Sequence, residues 1–552
     1  VNSLIVGLMA LAAFGILCLL ALGGAVRANL AIRASRHQSY GNSNYAQFVY
    51  DKDELNRMGY PQLLRRRWGG VSSFGLSFNQ LGLLGGTAAL YGLAVQYGGM
   101  TVAGWGWLVL GLFGIAAGAA MAELCSAFPT AGGPYHWSLA LGGVRWSWVA
   151  GWLYILGSAA MLMLMNFFGA QMIDDYLSSL LRYKQAEWTT IVWMALFYLI
   201  QWWFNIARSR GSGMLQSVGV WIGIGGAAAL IACLAWATWP GVVPAQSIFD
   251  NSIKLTGSTD TMSSSWTDWI IGMLLLQRMF IGSEGAASGA EETADPRVRS
   301  AWSVFLAPVY VFLIGFVLLC ILTVTLPLNP SWNNLSFASW LASIIGVWRG
   351  WELLLVLLLA VSIGLNGMQG MNAMSRSLFA MSRDGALPDQ SRLSKVSVHT
   401  GKPSAAITAA AFISGILGAV YFGLNGSGGE GILTIAGLAI ASVQAACAIP
   451  IGLRLFGGSR RELHDAPWRL GWVSTAVHWT AWIGMVGSAS GCILLFGYSV
   501  GYTFLLVAAL AWAASIIRGK RFESKLRLSS RRTRLELQRI ERKFGPLFLD
   551  GK

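Results

Sequence analysis

Thirteen long apolar stretches alternate with polar gaps along this chain, at roughly 3–26, 72–97, 102–124, 146–173, 188–206, 213–239, 266–288, 300–326, 352–375, 403–424, 431–453, 472–496 and 499–517. Each supplies about 20 residues, enough for a helix to cross about 30 Å of hydrocarbon. The pattern predicts an all-α polytopic membrane protein. The first stretch stands apart as an extra N-terminal span; the other twelve are numbered here as spans 1 to 12.

Charge orients these spans. Alternate gaps, 27–71, 125–145, 207–212, 289–299, 376–402, 454–471 and the tail from 518, hold 34 of the 39 Lys and Arg. The opposite gaps hold four, Arg182, Lys184, Lys254 and Arg349, and Arg278 alone lies inside a span. Without the tail and the long first gap the count is still 14 against 4. The basic side is therefore expected in the cytoplasm of a cell membrane, with the C-terminal tail on it. Apolar residues make up 55% and charged residues only 11%, which excludes an ordinary soluble domain. The net charge of +15 reads as anchors facing anionic lipid rather than as a nucleic-acid site, because no basic run accompanies a binding motif. Six scattered Cys with no CxxC pair predict neither disulfide nor metal site.

The expected organisation is an extra helix at 1–26, a cytoplasmic linker at 27–69, a twelve-helix core at 70–517 and a basic cytoplasmic tail at 518–552. The stretch 3–26 lacks the basic start of a secretory signal, so it reads as a retained helix; a cleaved or misassigned start is the alternative. The tail RLSSRRTRLELQRIERKF has helical potential and reads either as a membrane-surface helix or as a disordered basic segment.

Two spans carry interruptions. Span 1 reads SFGLSFNQLGLLGGTAALYG, and span 6 reads IIGMLLLQRMFIGSEGAASGAEE. Broken helices survive in lipid only where they line a cavity. Either run alone also fits tight packing through small residues. Spans 1 and 6 nevertheless open two consecutive blocks of five, 1–5 and 6–10. Breaks at matching places in two halves point to an inverted-repeat transporter. Helices 1 and 6 are expected to unwind near 85–87 and 282–285. Freed N–H groups suit a carboxylate and freed carbonyls suit a cation, so an amino acid fits such a gap.

At this point the chain resembles a known family. SFGLSFNQLGLLGGTAALYGLAVQYGGMTVAGWGW, MAELCSAFPTAGGPYHW, FIGSEGAASGAEETADPRVRSAW and NAMSRSLFAMSRDGALPDQSRLSKVSVHTGKPSAAI occur in the order and spacing of the amino acid–polyamine–organocation superfamily. They are most similar to its amino acid–choline branch, over about 70–517. The resemblance implies a leucine-transporter-like fold of two inverted five-helix repeats, 70–240 and 265–455, with helices 11 and 12 at 470–517 peripheral. It implies substrate between broken helices 1 and 6, with helices 3, 8 and 10 completing the pocket. By motif position Gly85, Gly86 and Thr87 are the carboxylate-facing stretch of helix 1. Phe280, Ile281, Gly282, Ser283 and Glu284 are the matching stretch of helix 6. The amino acid–choline branch more often has Tyr-Asp where this chain has Glu284, which leaves the substrate open.

A carboxylate at membrane depth marks a functional site by default. Glu284 reads as a proton carrier or a partner for a substrate ammonium, against a structural cap on the broken helix. Phe280 reads as a lid over substrate. Arg278 lines the pathway or pairs elsewhere. Asn366, Gln369 and Asn372 recur every three residues along span 8 and face the path or bond between helices. Glu291, Glu292, Arg297, Arg299, Arg376, Arg383 and Asp384 form an inner gate or are solvated loop charges. Span 8 has no adjacent Ser/Thr pair and span 5 no Lys, the family's sodium and proton signatures. Glu284 therefore favours a proton, or exchange of substrates, over sodium. The reading is a secondary transporter for an amino acid or related amine, with no cofactor. The alternative is a transporter-like nutrient sensor that binds without accumulating. Dispersed His argue against an enzyme, and the lack of a G-x-x-x-x-G-K-[ST] loop against a primary pump.

Overall fold

The computed structural model describes residues 44–207, 212–238, 241–250, 266–326, 351–387, 390–397, 400–425, 429–457, 463, 465–530 and 533–542, with a few positions between 19 and 34. The extra span expected at 3–26 lies almost wholly outside them. Each apolar stretch from span 1 to span 12 is mainly helical over its described residues, with interruptions in spans 1 and 6. Ten of these helices are long and apolar enough to cross a membrane by length and composition. Among the described residues the only β pairing is one bridge, Trp68 to Thr293.

Several boundaries follow from local chemistry. Pro134 and Pro296 begin spans 3 and 7, where a missing N–H costs nothing. Span 3 is the longest, Pro134–Leu181, and bends at Gly143. It is buried along most of its length and packs against spans 8 and 10. Spans 4 and 12 are mostly exposed and present apolar residues such as Trp203 and Leu505 outward, as lipid-facing helices do.

The spans that an inversion would relate, 1 with 6, 2 with 7 and 3 with 8, pack directly against each other. The basic gaps meet at one end of the bundle. Ser126 bonds Arg297, His136 bonds Asp384, Lys402 donates to Ala207 O, and Arg297 reaches Asp465 O. At the other end Trp105 bonds Phe249 O and Val242 N–H bonds Val324 O. The alternation of the gaps is thus the alternation of the two ends.

The segment expected to be only a linker has structure. A helix at Asn44–Arg57 leads into a strap over Tyr60–Trp68 that lies across the basic end. The tail forms a helix at Arg534–Arg542, and its Glu541 accepts from the Gln62 backbone N–H at 2.9 Å.

Candidate functional site

Span 1 breaks at Gly82. Its φ of +68° is left-handed, and a Cβ there would lie 2.1 Å from Asn366 Nδ2. Only glycine meets both demands. Gly82 caps the half Gly70–Leu81 and begins the half Leu83–Gly98. The break therefore falls three residues before the stretch expected from sequence. Gly85, Gly86 and Thr87 are continuously helical. Gly85 and Gly86 serve close packing instead: a Cβ would lie 3.1 Å from the Ile363 backbone and 3.0 Å from Met279 Cγ respectively. Thr87 turns its hydroxyl back to Leu83 O at 2.7 Å.

Span 6 is regular through Gln277, tightens to a 3-10 turn at Arg278–Phe280, and becomes extended at Ile281. Gly282 has φ +119°, and a Cβ on it would sit 2.5 Å from Gln80. Helix resumes at Gly285–Ser288. The expected break at 282–285 is present and starts earlier, at Arg278. The two breaks face each other and are cross-tied. Ser77 Oγ donates to Ser283 O at 2.5 Å and accepts from Ala286 N–H at 3.0 Å.

Glu284 sits at the centre of this junction and is 2% exposed. Tyr154 of span 3 donates to its Oε1 at 3.1 Å. Tyr154 also lies within reach of Gln80 and Ser288. Next to Glu284 in the chain, Ser283 Oγ is buried without a hydrogen-bond partner among the described residues. An unspent buried polar atom is costly and calls for a partner.

A small cavity of about 10 Å³ touches the span 6 break. Gln277, Phe280, Ile281 and Glu284 line it from span 6, opposite Met121, Gln444 and Met485. Phe280 packs tilted against Trp107 with ring centroids 4.8 Å apart, and Gly114 leaves it room. Of the sequence-predicted stretch, Phe280, Ile281 and Glu284 thus border the cavity; Gly282 and Ser283 turn toward span 1. The walls come from spans 2, 6, 10 and 11. Spans 3 and 8, expected to complete the pocket, approach the break from behind: Tyr154 through Glu284, Asn366 through the span 1 carbonyls.

Sequence reading missed Met121, Gln444 and Tyr154, because each sits in an unbroken apolar helix, and Gln277, because it ends the regular half of span 6 just before the break. It left Arg278 and Asn366 open. Arg278 is fully buried and donates to Leu81 O at 3.1 Å, Gln80 O at 3.4 Å and Asn366 Oδ1. Asn366 Nδ2 in turn donates to Asn79 O at 3.0 Å and Gln80 O at 2.6 Å. These are the carbonyls that the break at Gly82 strips of helical donors.

The basic end is closed by ion pairs. Arg383 meets both Glu291 oxygens at 2.9 and 3.0 Å, and Arg376 grips Glu292 at 2.8 Å. Burial opposes the Glu291 charge, but Arg383 outweighs it and holds the carboxyl below the usual range. Tyr135 and His136 converge on Asp384 at 3.1 and 3.0 Å. Arg297, grouped with these on sequence grounds, instead pairs with Glu54 at 3.2 Å. The strap runs beneath this layer. Arg67 and Trp68 N–H bond Glu292 O, and Gln62 bonds Glu291 O.

Two paired helix breaks, a buried carboxylate between them and a charged seal at one end define a membrane carrier for small polar molecules. The chain belongs to the amino acid permease family, whose model matches residues 69–517. It is 28% identical to "Amino-acid permease BAT1 homolog" of Oryza sativa subsp. japonica, covering 81% of this chain and 88% of that one. It is 27% identical to "Amino-acid permease BAT1" of Arabidopsis thaliana, over 81% and 88%. It is also 24% identical to "Thiamine transporter thi9" of Schizosaccharomyces pombe, over 77% of each. Among solved structures, the Eremococcus coleocola manganese transporter aligns over 85% of this chain and 95% of its own, with 11% identity and a TM-score of 0.48. The chain is therefore a multi-pass membrane permease for amino acids or related compounds, not an enzyme.

Proposed function

We propose that this permease is a secondary active transporter that moves an amino acid or related amine by alternating access, using a leucine-transporter-like pair of inverted repeats. The basic end faces the cytoplasm of a cell membrane. Transport is coupled to a proton or proceeds by exchange. The observation that carries the reading is Glu284, a buried carboxylate at the edge of the cavity whose side chain is held by a neutral tyrosine hydroxyl. Such a group attracts an ammonium or a proton, and the cycle needs both to come and go. The substrate carboxylate meets the N–H groups at the start of the second half of span 1, around Leu83 to Gly85. Phe280 closes over it from span 6. The thiamine-transporting relative fits the same chemistry, because its named substrate is an organic cation and Glu284 is an anion.

Glu284→Gln keeps the size and most of the hydrogen bonding while removing the titrating proton. The variant should bind substrate and support counterflow, yet fail to accumulate substrate under an imposed pH gradient. Unchanged accumulation with unchanged pH dependence makes Glu284 a structural cap. Loss of binding itself assigns Glu284 to the substrate ammonium instead of the proton.

A further inference from the structure

The break in span 1 leaves carbonyl oxygens without helical N–H partners at the negative end of a half-helix. Gln80 O and Leu81 O point at one place. Ile281 O from the span 6 break and Asn366 Oδ1 from span 8 converge on it as well. Neutral oxygens gathered from three helices make a site for a bare monovalent cation, the chemistry by which carbonyl rings replace a hydration shell. Here the guanidinium of Arg278 occupies it. The side chain has no exposure, lies within span 6, and spends its hydrogen bonds on neutral oxygens. Glu284 feels its charge across the break. Burying a guanidinium in such a setting is expensive, so a merely packing role would be better served by an apolar side chain.

We propose that Arg278 is a built-in cation that ties spans 1, 6 and 8 together at the breaks, and that the transporter consequently needs no sodium or other metal cation there. The inference rests on the transport reading and assigns how that site keeps its broken helices in register. Arg278 is a positioning residue; the cavity is lined by its neighbour Gln277 rather than by Arg278 itself. Two consequences follow from the chemistry. The cation cannot leave, so it contributes charge in every conformation and no gradient is spent on it. Removing it uncovers an oxygen site that a free guanidinium can re-enter.

The test uses purified full-length protein. Uptake by the wild type should be the same in sodium, potassium or N-methylglucamine at fixed pH. Arg278→Ala should lose uptake about ten-fold or more, the scale of one or two charged hydrogen bonds, while Arg278→Lys keeps part of it. Millimolar methylguanidinium should raise the melting temperature of Arg278→Ala and restore part of its uptake, with no effect on the wild type. A wild type that requires sodium overturns the proposal, as does an Ala variant that transports normally or ignores methylguanidinium. If the Ala variant does not fold, sodium independence and a partly active Lys variant still support the assignment, and their absence rejects it. If the wild type takes up no candidate substrate, the transport reading fails; the methylguanidinium melting shift still decides the role of Arg278.

Discussion

Single residues set the geometry of this permease more than composition does. Gly82 is the clearest case, because its left-handed φ and its contact with Asn366 exclude any side chain. An alanine there must accept a backbone strain of about 1–2 kcal/mol and also displace Asn366 from the span 1 carbonyls. Gly86 has an ordinary helical backbone, and a Cβ would meet the flexible Met279 at 3.0 Å and Leu81 O at an ordinary 3.8 Å. Gly82→Ala should therefore lower the melting temperature in detergent well below that of Gly86→Ala. Equal shifts would mean that the break does not depend on Gly82. The sequence holds all these glycines in one run, GLLGG, and periodicity alone does not say which of them turns the chain. The motif resemblance pointed to the later pair, whereas the steric demand falls on the first.

At the scale of elements, the helices and the pairing of spans 1 and 6 were legible because lipid permits so few alternatives. The strap at 60–68 was not. Its residues are polar and aperiodic, and what orders them is a set of distant partners: Gln62 with Glu541 and Glu291, Arg66 with Thr293 O. Asp51, in the helix before the strap, is the titratable joint. Burial pushes its carboxyl up to about 6, although Arg66 at 3.9 Å and the Asp295 N–H at 2.9 Å pull the other way; Asp295 and Arg299 are the other charges near it. A carboxyl whose folded value is raised favours the folded form while protonated. That stability, about 3 kcal/mol for a shift of this size, is whole below pH 4 and lost as pH rises through 6. Hydrogen exchange in residues 44–68 should accelerate between pH 5 and pH 7.5 beyond its intrinsic pH dependence. Asp51→Asn should flatten that excess, and a wild-type segment equally protected at both values would show that Asp51 does not control docking.

The whole molecule is organised by one asymmetry, a basic end and one poor in Lys and Arg. The described gaps on the basic side bond to one another, through pairs such as His136 with Asp384 and Lys402 with Ala207. On the proposed topology, following the positive-inside rule, that end faces the cytoplasm. In a background without native cysteines, Lys254→Cys should react with an impermeant thiol reagent from outside intact cells, and Lys395→Cys only after permeabilisation. The reverse pattern would invert the molecule. The candidate site was only partly legible at this scale. Glu284 was visible as a charge at a break in an apolar run, and Phe280 and Ile281 through the motif resemblance, whereas Gln277, Gln444 and Met121 enter only through the packing of spans 2, 10 and 11 around it.

The most direct test of the central claim is accumulation in sealed proteoliposomes containing only this protein. Labelled amino acids, γ-aminobutyrate, choline and polyamines are offered in turn, with an inward proton gradient or with the same compound loaded inside. The account predicts that at least one of them is concentrated or exchanged against its gradient, and that the wild type exceeds Glu284→Gln when protons drive uptake. A protein whose melting temperature rises with such a compound but which never moves it across the membrane would be a sensor, and would contradict the account.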